Sequence, residues 1–135
     1  MEAHLNKLLI VTSALSSFMA VTVNAAPLTD LPEQIGTCVF THVKSVETRL
    51  QEAGGKPIPD SGSAINFVNG GYQVSYNQIP EVDSSQVGDR VMMCLAFVPA
   101  NCPAGDDRGK IYTTTNFRTG RSWTLPDSEH DCGGA

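Results

Sequence analysis

The chain lacks the short motifs that ordinarily mark catalysis or nucleotide binding. Gly-x-Ser-x-Gly is absent, as are His-Glu-x-x-His and Gly-x-x-x-x-Gly-Lys-Ser/Thr, so hydrolase, zinc-peptidase and phosphate-loop readings have no motif behind them. Nor is there an Asn-x-Ser/Thr glycosylation sequon, which fits a bacterial origin. Basic residues are scarce. Nine Lys and Arg stand against fourteen Asp and Glu, a net charge of −5 that gives no electrostatic case for nucleic acid or an anionic membrane and points to cationic partners, if to any. Aromatic residues make up only 7% of the chain, so most of them are expected to be packing. The long apolar run is confined to the N-terminus.

That run extends from Leu8 to Val23, follows Lys7 and is diluted by Ser13, Ser16 and Ser17. It is too short for a comfortable membrane span, which needs about 20 apolar residues. A charged start, an apolar stretch and the small residues of Val23-Asn24-Ala25 together predict a secretory signal peptide over residues 1–25, cleaved before Ala26. Cleavage one residue later, after Ala26, would make Pro27 the new first residue and is disfavoured. No Cys follows the apolar run to accept a lipid, and no basic flank follows to hold it in a membrane. The expected product is residues 26–135, a single domain, periplasmic or secreted, with no membrane insertion of the mature chain. Loss of Glu2 and Lys7 leaves the net charge unchanged.

Cys38, Cys94, Cys102 and Cys132 all fall in this mature part, an even number in a chain sent where disulfides persist. Four cysteines allow three connectivities. Cys38 and Cys94 lie in apolar, strand-like runs and are expected to meet in the core, whereas Cys102 and Cys132 lie in Pro- and Gly-rich polar segments near the surface. The expected bridges are therefore Cys38–Cys94 and Cys102–Cys132.

Residues 26–37, with Pro27, Pro32 and Gly36, suit an extended lead-in. From Thr37 to Leu50 the pattern is ambiguous. Val39, Val43, Val46 and Leu50 fall at helical spacing, but β-branched residues fill most of those positions, so a long strand is expected. A Gly- and Pro-rich loop covers 53–63. Two alternating runs, 64–68 and 72–76, then flank Asn69-Gly70-Gly71, a strong hairpin signal, with Ile65 and Phe67 lining one face of the first strand and Tyr72, Val74 and Tyr76 one face of the second. Val91 to Val98 is apolar on both faces and reads as the central strand, covered on two sides. A second hairpin is expected from Lys110–Phe117 and Arg121–Leu125 through Thr119-Gly120, with Trp123 in the core. The whole reads as an all-β fold: a small single-domain barrel or sandwich built from hairpins and stapled by two disulfides.

Chemistry-bearing residues are few. His42 and His130 are the mature chain's histidines, and neither has a nucleophile and an orienting group beside it in sequence. His130 and Cys132 with Cys94 or Cys102 could offer nitrogen and sulfur to zinc, but the spacing matches no zinc pattern and disulfides are favoured. Asp106-Asp107 lacks the alternation and closing Glu of a calcium loop and reads as a turn. Asp127, Glu129 and Asp131 form an acidic cluster around His130 in the tail. A basic stretch, Arg108, Lys110, Arg118 and Arg121, precedes it. Patches of opposite sign in one short region usually describe a solvated surface; the sharper reading makes Asp127, Glu129, His130 and Asp131 a partner-binding face.

The segments Asn66 to Tyr76 and Val87-Gly88-Asp89, and above all Ser122-Trp123-Thr124-Leu125-Pro126-Asp127-Ser128-Glu129-His130-Asp131-Cys132-Gly133-Gly134-Ala135, resemble a group of small exported proteobacterial proteins of unknown function. That likeness spans most of the mature chain and implies a compartment, not an activity. In format alone, signal peptide plus small disulfide-bonded β domain, the chain is similar to periplasmic lysozyme inhibitors.

The functional expectation is an exported, non-enzymatic binding module without a cofactor, one version being an inhibitor of a secreted hydrolase. Its partner would be a cationic secreted or envelope protein. The alternatives are a small secreted enzyme using His130 or His42 with a carboxylate, and a structural envelope protein.

Overall fold

The computed structural model describes residues 30–134; the expected signal peptide and its cleavage site lie outside them. Six antiparallel strands form one sheet: β1 (Cys38–Thr48), β2 (Ser63–Phe67), β3 (Tyr72–Ser75), β4 (Arg90–Phe97), β5 (Ile111–Asn116) and β6 (Arg121–Pro126), in the order β3-β2-β1-β4-β5-β6. A single helical turn, α1 (Pro80–Asp83), packs beside β1, β2 and β6. The sheet curls until its two edge strands, β3 and β6, approach one another, giving an all-β half-barrel.

The ambiguous segment is indeed a strand, and its odd periodicity has a cause. Val43 pairs with Phe67 and Ser45 with Asn66, so the register shifts at Lys44, an extra residue that forms a β-bulge. A bulge reverses which alternate residues face the core. Thr41 and Val43 point inward before it and Val46 packs inward after it, which reproduces the three-residue spacing of a helix without one.

Both expected hairpins are present. Gly70 adopts φ +84°, and the Asn69 side chain accepts a bond from the Gly71 N–H at 3.1 Å to close the first turn. Within that hairpin the expected face of Tyr72, Val74 and Tyr76 is graded, with Val74 buried, Tyr72 half-buried and Tyr76 exposed. Its opposite face holds Gln73, which is completely buried.

Strand β4 lies at the centre of the sheet, between β1 and β5. The expected cover on two sides is a misreading: Val91, Met93 and Leu95 are buried, whereas Arg90 and Ala96 are exposed and Met92 and Cys94 half-buried. A curled single sheet has only one core-facing side. Ile65, Phe67, Val82, Trp123 and Leu125 complete the core against that side. Burial of side chains such as Ile65 and Phe67 contributes roughly 1.5–3 kcal/mol each.

Closure of the half-barrel rests on Gln73. From edge strand β3 its Nε2 donates to the carbonyls of Tyr112 (2.7 Å) and Leu125 (3.1 Å), while its Oε1 accepts from Thr114 Oγ1 and Trp123 Nε1, each at 2.8 Å. All four hydrogen-bonding positions of the amide are used. The edges are thereby joined by a side chain where no ladder joins them.

A second buried network ties a loop to the other hairpin. Asp89, just before β4, accepts from the Gln86 N–H, Asn116 Nδ2 and Arg118 Nε, the last at 2.6 Å. Asn116 also donates to Ser85 Oγ. The Arg118 bond foremost, against the opposing effect of burial, holds the Asp89 carboxyl down at about 2.

The disulfides pair as expected, Cys38–Cys94 and Cys102–Cys132. Their expected setting needs correction. Cys38 and Cys94 are directly opposite on β1 and β4 and lie on the outer face, Cys38 exposed, because the core-facing positions of β4 are the neighbours Met93 and Leu95. An apolar strand identifies a cysteine's neighbours, not its face. Two disulfides fit an oxidising compartment. Among the described residues, no helix is long and apolar enough to cross a membrane.

Candidate functional site

The C-terminal tail, the sequence's candidate, is tied into the fold at several points. Asp127 is half-buried and accepts from the Gly109 N–H at 2.8 Å; burial pushes its carboxyl above the usual range, with that bond pulling the other way. Glu129 pairs with Arg49 at 3.3 Å, and Arg49 in turn stacks 4.3 Å from the Tyr76 ring centre. Asp106 makes a two-pronged contact with Arg108 and accepts from the Gly133 N–H, so it sits well below the usual carboxylate range. The Cys102–Cys132 bridge fixes the end of the tail. His130 and Asp131 remain exposed. The four tail candidates are thus near one another in the chain, but two of the acids serve internal contacts.

Two open clefts flank this region. The larger, about 530 Å³, is lined by Asp30, Leu31, Pro32, Glu33, Lys110 and Tyr112. Burial, chiefly, pushes the Tyr112 phenol up to about 12, so it stays protonated at neutral pH. The smaller, about 260 Å³, lies along the seam between β3 and β6 and includes Tyr76, Leu125, Pro126 and Glu129. Neither cleft is lined by His42 or His130. Among the described residues no group of three His, Cys, Asp or Glu is arranged to hold a metal ion.

A different cluster stands on the outer face of the sheet. Phe40 on β1 and Phe117, just after β5, are each 50% exposed, with ring centres 5.9 Å apart. The Arg90 guanidinium lies over both, 4.5 Å from Phe40 and 5.5 Å from Phe117. Backbone pairing builds this arrangement: Phe40 is opposite Met92, His42 is opposite Arg90, and the Phe117 N–H donates to the Arg90 carbonyl at 3.1 Å. Exposed rings around a guanidinium have the composition of interface centres rather than of ordinary solvated surface.

Sequence reasoning missed this cluster. Phe40 sits beside valines in an apolar run and reads as core, and the pairing that sets Arg90 between two rings is invisible without the register. The one available signal was the alternation of β4, which puts Arg90 on the same face as Met92 and Cys94.

No family model, no curated protein and no solved structure matches the chain.

Proposed function

We propose that the domain is an exported, non-enzymatic module that binds a protein partner through the outer face of its sheet. The observation that carries this reading is the exposed Phe40–Arg90–Phe117 cluster, with Phe40 and Arg90 on the disulfide-linked central strands β1 and β4 and Phe117 just after β5. Rigid strands present such groups at little entropic cost on binding, and aromatic and arginine side chains supply most interface energy. The tail offers less for this purpose, since Asp127 is half-buried and Glu129 is paired with Arg49. Inhibition of a secreted hydrolase is one form such binding takes.

The test is a Phe40→Ser/Phe117→Ser variant carrying the native signal peptide in its own host. Both rings are half-exposed, so the variant is expected to fold and form both disulfides while losing capture of the partner retained by the wild type. Unchanged capture by a folded variant would refute the outer-face reading. Turnover of an ester, peptide or glycan by the purified wild type, lost on His130→Ala or His42→Ala, would replace it with an enzymatic one.

A further inference from the structure

Resting on the protein-binding reading above, we infer that the Phe40–Arg90–Phe117 cluster receives a single carboxylate, an Asp or Glu side chain set among apolar residues on the partner. The first ground is a contrast among the arginines. Arg49, Arg108, Arg118 and Arg121 each lie within salt-bridge distance of an acid, namely Glu129, Asp106, Asp89 and Glu81. Arg90 alone, among the described residues, stacks on rings with no such acid. Its guanidinium lies over the two rings and, among the described residues, none of its N–H groups donates a hydrogen bond, which leaves open the fork that matches a carboxylate. The rings also hold the side chain in place before a ligand arrives, which lowers the ordering cost of binding.

The second ground selects the kind of anion. A polyanionic glycan or an acidic membrane is held by many cations acting together, and here one guanidinium stands in a chain of net charge −5. Long-range charge therefore repels a polyanion, while a lone carboxylate meets Arg90 at short range. Phe40 and Phe117 beside it, with Met92 on the same face of β4, would exclude water from that contact and strengthen it. This reverses the polarity expected from the chain's overall acidity: the partner supplies the acid.

The experiment is a titration of the mature, disulfide-intact protein, followed by two-dimensional ¹H–¹⁵N NMR that includes the arginine Nε–Hε signals. The probes are acetyl-Leu-Glu-Leu-amide, its Gln counterpart, inorganic phosphate and phosphatidylglycerol vesicles. The Glu peptide is expected to shift the Arg90 Nε–Hε and the amides of Phe40 and Phe117 saturably, at least about fivefold more tightly than the Gln peptide. Arg90→Gln should abolish that difference. Equal binding of both peptides, or shifts centred elsewhere, would overturn the inference. So would phosphate or vesicles binding the cluster more tightly than the Glu peptide. If the Glu peptide fails while Phe40→Ser/Phe117→Ser still abolishes partner capture, the carboxylate inference falls and the protein-binding role stands.

Discussion

Replacing Gln73 with Leu should be among the most damaging single changes in this domain, although the side chains are close in size. The buried amide currently accepts from Trp123 Nε1 and Thr114 Oγ1 and donates to two carbonyls across the seam. Leucine leaves two buried donors without an acceptor, at roughly 1–3 kcal/mol each, offset by about 1–2 kcal/mol from added apolar burial. The expected net loss is about 3 kcal/mol, a large share of the 5–15 kcal/mol typical of small domains. Urea unfolding of the oxidised protein, followed by fluorescence of the sole tryptophan, Trp123, measures this directly. The network reading makes a further demand. Thr114→Val removes one of the stranded donors, so the double variant Gln73→Leu/Thr114→Val should lose about 1 kcal/mol less than the sum of the two singles. A Gln73→Leu protein within about 1 kcal/mol of wild type, or strictly additive singles, would refute the claim that this amide closes the half-barrel.

Asp89 gives the fold a pH dependence of known sign. Its carboxyl lies at about 2 in the folded chain, below the ordinary 3.8, so its contribution is fully present above about pH 4 and is lost as pH falls through 2. Allowing for solvent screening of partly exposed Arg118, Asp89→Asn should cost about 1–2 kcal/mol at neutral pH and nothing at pH 1.5, read from unfolding curves across that range. Asp127 has the opposite sign, because burial raises its pKa and its ionised form is disfavoured in the fold. Asp127→Asn keeps an acceptor for the Gly109 N–H and should leave neutral-pH stability unchanged or higher, measured by the same unfolding curves. Removing the Cys102–Cys132 bridge by double Ala substitution should cost roughly 3–4 kcal/mol on loop-closure grounds and speed amide exchange in the tail before the sheet, seen by hydrogen-exchange mass spectrometry.

The strands, both hairpins and both disulfide pairings were legible because each has a local signature: Asn69-Gly70-Gly71, the β-branched density of β1, and the shared environments of the cysteines. Facing was harder to read. A bulge at Lys44 changes inside for outside along β1, and nothing in the residue types marks where it falls. The apolar outer face of β4 suggested cover on two sides, but those residues serve a disulfide and an exposed patch. Gln73 was illegible for a related reason. Its partners lie 39 to 52 residues away, so a polar residue within a strand looks solvated until the curl of the sheet brings those groups to it. The outer cluster likewise depends on residues from β1, β4 and the turn after β5 meeting through register alone.

Site-specific photocross-linking in the native host compares the two candidate faces most directly. A photoreactive residue is placed at Thr115, on the outer face opposite Met92, and in separate proteins at His130 in the tail and at Glu52 in a distant exposed loop. A discrete partner adduct from Thr115, weak or absent from His130 and Glu52, and lost when Phe40→Ser/Phe117→Ser is added, is the predicted result. An adduct from His130 with none from Thr115 would contradict the outer-face account and place binding in the tail.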